Sequence, residues 1–194
     1  MTGGRGDGRV GGLLLFPGAG AGRDAPALVA IERALDGRVP VARADFPYRR
    51  AGRRAPDRPA KLVACVREEA VLLAEREGLE GAAVALGGRS MGGRMCSMAV
   101  AEGLPAAALV LVSYPLHPPG SPDRLRVDHF PGIAVPCLFV SGTRDPFGTP
   151  DELTEHTAAI AGPVTHEWVD GARHDLRGRD AEVAAVVRDW LVAL

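Results

Sequence analysis

The sequence predicts an α/β fold, a mostly parallel sheet of about six strands with helices on both faces, in a single domain over residues 10–194. Three observations carry this. Apolar runs of strand length alternate with longer amphipathic or Ala-rich segments, the pattern of repeated βα units. The runs lack polar alternation, so the strands are expected to be buried on both faces. The chain has 194 residues, 46% hydrophobic and 24% charged, which suits one globular core better than two and excludes a disordered or fibrous chain.

Taken in order, the strands fall near Val10–Phe16, Val39–Asp45, Ala82–Gly87, Ala106–Ser113, Pro136–Ser141 and Val164–Val169. Helices are predicted at Pro26–Leu35, Pro59–Glu77, Met91–Glu102, Pro150–Ile160 and Asp180–Ala193. Several open on a proline in the first turn, where the missing N–H costs nothing, and the second closes on Gly78. Residues 1–9 are Gly-rich and polar and are expected to form a flexible tail, and its Arg5-Gly6-Asp7 carries no weight as an adhesion signal. Pro47–Pro59 and Pro115–Pro131 follow strand ends, are rich in Pro, Gly, Arg and Asp, and are expected to be loops on the rim of a ligand crevice.

Charge and cysteine usage narrow the function classes. Lys+Arg is 23 against Asp+Glu 24, a net charge of −1 that argues against a nucleic-acid partner and suits a small-molecule substrate. The apolar stretch Leu104–Leu116 is broken by Pro105, Ser113 and Pro115 and is shorter than the roughly 20 residues a bilayer requires, so no membrane association is expected. No apolar run of signal-peptide length precedes Leu13, so a cytoplasmic protein is expected. Cys65, Cys96 and Cys137 are an odd number in apolar or helical settings, read as buried thiols, and no metal spacing or cofactor motif is found.

The strongest chemical signal is Gly88-Arg89-Ser90-Met91-Gly92, a G-x-S-x-G pattern between a strand and a helix. A serine hydroxyl is a poor nucleophile unless held at an exposed turn beside a base, and glycines on both sides relieve the Cβ clashes of such a turn. The backbone N–H of Met91 then lies at a helix N-terminus, where a developing oxyanion is favoured. Partners follow in the order acid, then base, each just past a later strand: Asp145 in Gly142-Thr143-Arg144-Asp145 and His174 in Asp170-Gly171-Ala172-Arg173-His174-Asp175. His174 would accept the Ser90 proton and Asp145 would hold its tautomer. Asp170 and Asp175 rank below Asp145 because neither follows the preceding strand.

A second glycine cluster, Pro17-Gly18-Ala19-Gly20-Ala21-Gly22, follows the first strand. As a dinucleotide fingerprint it fails at the third glycine, where Arg23 stands. It reads either as a plain turn or as an oxyanion loop that leaves the Ala19 N–H uncovered as a second donor. Tyr48, Tyr114 and Phe147, with Phe46, lie at strand ends and are candidates either for an apolar acyl pocket or for the core. His117, His129, His156 and His166 are assigned no site role, and the arginines of Arg49–Arg54, with Arg58, are read as a solvated loop.

With these residues in place, the chain from Val10 to Leu194 resembles the α/β-hydrolase superfamily. Its small, capless plan is similar to dienelactone-hydrolase-like proteins and to the hydrolase-like domain of a subunit of the NSL histone acetyltransferase complex. The resemblance implies a three-layer sandwich and a serine hydrolase of the esterase or thioesterase kind, acting on a small acyl substrate through an acyl-enzyme on Ser90. It also implies a short sheet, because the first strand starts almost at once where many relatives have two antiparallel strands. Dienelactone hydrolases proper carry cysteine at the position of Ser90, which argues against a dienelactone substrate. Relatives often begin the oxyanion loop with His-Gly, where this chain has Pro17-Gly18. A catalytically silent binding or scaffold protein on the same fold is the rival reading.

Overall fold

The structure is a computed structural model that describes residues 10–194; the expected tail 1–9 lies outside the described residues. Six strands form one sheet: β1 (Gly12–Phe16), β2 (Val41–Arg43), β3 (Val84–Arg89), β4 (Leu109–Val112), β5 (Cys137–Gly142) and β6 (Val164–Val169). Their spatial order is β2-β1-β3-β4-β5-β6 and every pairing is parallel. The helices are α1 (Pro26–Ala34), α2 (Pro47–Arg50), α3 (Pro59–Glu77), α4 (Met91–Ala101), α5 (Pro150–Thr157) and α6 (Asp180–Ala193).

Burial explains the layering. Leu13, Leu15, Ala85, Val110 and Val140 face α1 and α6, whereas Leu14, Phe16, Leu86, Leu111 and Phe139 face α3 and α4. Alternate residues of each central strand thus feed two cores, which is why these strands read as continuous apolar runs. Each fully buried Leu, Val or Phe contributes about 1.5–3 kcal/mol. The edge strands differ from expectation. β2 is only half-buried, and β6 carries the exposed Glu167 and a half-buried His166, because an edge strand is covered by fewer neighbours.

Local chemistry sets the helix ends. Pro26, Pro47, Pro59 and Pro150 stand at the first turns, and Gly78 closes α3 with φ +64°. Thr149 and Glu152 form a capping box on α5, satisfying backbone donors that the helix leaves free. The segment expected to be loop from Pro47 opens instead as α2, because Pro47 presets a helical φ and the Phe46 carbonyl accepts from Arg49 N–H at 2.9 Å. The three cysteines are buried and unpaired.

The chain order reverses between β1 and β3, since β2 lies on one side of β1 and β3 to β6 follow on the other. In an open parallel sheet that reversal leaves a crevice at the carboxyl ends of the two strands, because their following connections diverge to opposite faces. The segments after β1 and β3 are 17–22 and Ser90.

Candidate active site

β3 runs to Arg89, which pairs with Val112, and the Ser90 N–H donates to the Val112 carbonyl at 2.8 Å. The chain then turns into α4 within one residue, forcing Ser90 to φ +52° and ψ −116°, a conformation that costs a non-glycine residue of order 1–3 kcal/mol. The flanking glycines serve a tighter constraint than the turn itself. A Cβ on Gly88 or Gly92 would stand 2.1 or 2.2 Å from the Phe16 carbonyl oxygen. Their absence of side chains brings the end of β1 against the start of α4, and so sets loop 18–21 beside Ser90.

The Ser90 Oγ lies 2.9 Å from His174 Nε2, and His174 Nδ1 lies 2.8 Å from Asp145 Oδ2. Asp145 is buried, its side chain 1% exposed, and its Oδ1 accepts from the Phe147 N–H at 2.8 Å. A carboxylate can only accept, so His174 donates from Nδ1, leaving the Nε2 lone pair to accept from the Ser90 hydroxyl. Asp145 sits in the turn after β5 and His174 in the turn after β6, where the Thr143 and Arg144 N–H groups donate to Val169 and Ala172 carbonyls. Of the rival acids, Asp170 accepts from Thr143 Oγ1 and Asp175 faces the Arg177 N–H, so neither engages His174.

The Met91 N–H is at the first helical position of α4, where no intrahelical acceptor exists. Ala19 is exposed, its N–H has no partner among the described residues, and loop 18–21 is pinned by the Ala21 N–H donating to the Gly18 carbonyl. Both amides border one cleft of about 660 Å³, which also takes in Ser90, His174, Phe147, Arg89, Arg94 and Arg126.

Comparison with known proteins bears on the family and the fold. Residues 10–188 match the alpha/beta hydrolase domain family. The chain belongs to that family. Membership supports an enzyme of the hydrolase class. A curated relative, epoxide hydrolase A of Mycobacterium tuberculosis, is 38% identical over 63 residues, 32% of this chain and only 20% of that protein's own length. Among solved structures, an alpha-beta serine hydrolase homologue from Coxiella burnetii superposes with a TM-score of 0.72 at 18% identity, covering 95% of this chain and 85% of that one. Dienelactone hydrolase from Anabaena variabilis gives 0.75 at 20% identity over 96% and 88%. At such identities the likeness is one of fold.

In this α/β hydrolase the expected aromatic lining divides. Phe147 does border the cleft, and its ring lies 3.9 Å from that of His174 at 26°, a face-on contact that restrains the imidazole. Tyr48 and Tyr114 do not border it; both are buried in the core, 0% and 1% exposed. A buried phenol needs a hydrogen-bond partner, and each finds the backbone carbonyl of a cleft residue: Tyr48 donates to Ala19 O at 2.8 Å and Tyr114 to Arg126 O at 2.7 Å. They hold the cleft wall from beneath. Burial in turn pushes both phenols to higher pKa, Tyr114 more strongly.

The two rim loops divide in the same way. Pro115–Pro131 supplies Pro115 and Arg126, whereas Pro47–Pro59 supplies no lining residue and reaches the site only through Tyr48. Three arginines were not foreseen. Arg89 precedes Ser90 and donates to the His174 carbonyl at 2.9 Å, tying the end of β3 to the histidine turn. Arg94 follows Ser90 by four residues, hence on the same helix face, a spacing that is readable in the sequence. Arg126 has no such local signal. No helix of the described residues is long and apolar enough to cross a membrane.

Proposed function

We propose that the protein is a serine hydrolase of small esters, thioesters or related acyl compounds, with Ser90 as nucleophile, His174 as general base and acid, and Asp145 as the group that orients His174. The observation that carries this is the continuous hydrogen-bonded chain Ser90–His174–Asp145, assembled from three strand ends and opening on a cleft.

As Ser90 Oγ attacks the substrate carbonyl, its proton passes to His174 Nε2 and the carbonyl oxygen takes the negative charge. The Met91 and Ala19 N–H groups are placed to receive that oxyanion. Collapse breaks the bond to the alcohol or thiol, which leaves with the proton from His174, and the acyl group stays on Ser90. Water then attacks the acyl-enzyme, giving its proton to His174, and the acid departs as Ser90 recovers the proton. Asp145 stabilises the imidazolium in both halves, and the Phe147 ring against the imidazole face adds a cation–π contribution.

Intact mass after treatment with a fluorophosphonate tests the reading without a substrate. A single adduct is expected on the wild-type protein and none on Ser90→Ala or His174→Ala. No adduct on a folded wild-type sample overturns the proposal in favour of a silent binding protein.

A further inference from the structure

The cleft beside Ser90 is cationic in a chain whose net charge is −1. Arg89, Arg94 and Arg126 border it and no carboxylate does. Elsewhere some arginines are paired, Arg43 with Asp24 and Glu32, Arg50 with Glu69, Arg53 with Asp57 and Arg67 with Glu102, whereas others such as Arg33, Arg38 and Arg54 are exposed to water and need no partner. Among the described residues, no carboxylate lies within ion-pair distance of Arg89, Arg94 or Arg126.

Arg89 is spoken for by the His174 carbonyl, which leaves two guanidiniums without an assignment. Arg94 is half-buried, and its Nε is wholly shielded from solvent with no hydrogen-bond partner in the structure. Arg126 is half-buried too, and burial followed by repulsion from Arg94 lowers its pKa. Two partly desolvated like charges bordering one cleft repel each other, and an oxyanion held between their guanidinium groups would offset both the desolvation and the repulsion. The fold also invests in their placement: α4 carries Arg94 one turn beyond Ser90, and Tyr114 pins the Arg126 backbone.

We propose that this pair seats a permanently ionised oxyanion group of the substrate, a carboxylate or a phosphate, so that the cleft selects anionic acyl compounds. The inference rests on the hydrolase reading above and names the substrate class of that same site. Charge-assisted hydrogen bonds of this kind predict about a 10–100-fold preference.

The test compares kcat/KM for 4-nitrophenyl hydrogen adipate with that for its neutral methyl ester. The wild-type protein is expected to favour the anionic ester at least about tenfold, and the ratio is expected to fall below about threefold in Arg94→Met and in Arg126→Met. Arg54→Met, on the exposed loop after α2, should keep the wild-type ratio. A wild-type ratio near one, or a ratio that survives both cleft substitutions, overturns the inference while leaving the hydrolase reading intact. Should the wild-type protein turn over neither ester, calorimetric titration of adipate and, separately, of inorganic phosphate into Ser90→Ala decides. Binding that is lost in the Ser90→Ala proteins carrying Arg94→Met or Arg126→Met upholds the anion site, the hydrolase reading being decided by the fluorophosphonate adduct, and the tighter ion identifies the oxyanion. Binding of neither ion, or binding indifferent to the arginines, overturns it. Circular dichroism and the loop variant Arg126→Met guard against a folding defect at Arg94.

Discussion

The two ends of the sheet carry concavities of nearly equal size, about 660 Å³ at the carboxyl ends of the strands and about 670 Å³ near the amino end of β2. Their chemistry is opposite. The amino-end hollow is bordered by Glu32, Arg33, Asp36 and Arg38, charges of both signs at the surface, with Glu32 paired to Arg43. The carboxyl-end cleft combines a serine at positive φ, a histidine held by a buried carboxylate, two backbone N–H groups without acceptors and arginines without carboxylates. Size is therefore uninformative here. What separates the two is access to water: Arg33, Asp36 and Arg38 of the amino-end hollow are exposed and served by solvent, whereas Ser90, Arg94 and Arg126 of the cleft are half-buried and a substrate would supply their partners.

The comparison breaks most sharply on Ser90. Ser90→Ala is expected to lower kcat by about 10⁶, whereas Asp36→Ala at the amino end should leave it within about twofold, since exposed unpaired side chains rarely matter. Steady-state assays on an activated ester check both, and comparable losses in the two would reject the contrast. Asp145→Asn should cost about 10⁴ in kcat, because an amide no longer enforces the His174 tautomer; a loss under tenfold would remove Asp145 from its role. Ala19→Pro deletes one N–H and should cost about 10²–10³ in kcat with KM little changed. An unchanged kcat in a folded sample would reject Ala19 as an oxyanion donor.

Stability sharpens the same contrast. Gly92→Ala drives a Cβ into the Phe16 carbonyl and should cost about 3 kcal/mol in urea denaturation. Gly37→Ala, at φ +69° in open space before β2, should cost about 1 kcal/mol from backbone strain alone; the reverse order would refute the close approach of β1 and α4. A pH-dependent effect concerns His129, whose pKa burial, with help from Arg94, lowers from 6.5 to about 4. Ser97 Oγ donates to the Arg94 carbonyl and so accepts from His129 Nε2, a bond open to the neutral and the protonated ring alike, so the lowering comes from burial and Arg94. The unfolded chain protonates near 6.5 and the folded one only at about 4, so stability falls as pH drops through that window. After allowance for solvent screening the loss is roughly 2 kcal/mol. A His129→Asn protein with the same pH dependence as wild type would show that the group lies elsewhere.

How far the sequence reached differs between fold and site. The spans Pro59–Glu77, Val164–Val169 and Asp180–Ala193 match residue for residue, and the other long elements differ only at their ends. Periodicity and proline or glycine punctuation lie within the element they describe, so they can be read without knowing the neighbours. Edge burial was not legible, because whether β2 or β6 is an edge depends on pairings made across the whole chain. Ser90, Asp145 and His174 could be brought together on paper only because each directly follows a strand, and strand ends meet at one side of a parallel sheet.

The sequence by itself determined the parallel α/β sandwich, the turn that exposes Ser90 and the order in which Asp145 and His174 follow it. These depend on backbone chemistry within a few residues. Tertiary structure alone decided that Phe147 borders the cleft while Tyr48 and Tyr114 anchor it from below, that Arg94 and Arg126 converge, and that Ser90 meets His174 across 84 positions of chain. Side-chain direction and distant neighbours set those outcomes: the same aromatic ring is lining or core according to which elements pack over it, and a guanidinium is paired or free according to where the carboxylates fold.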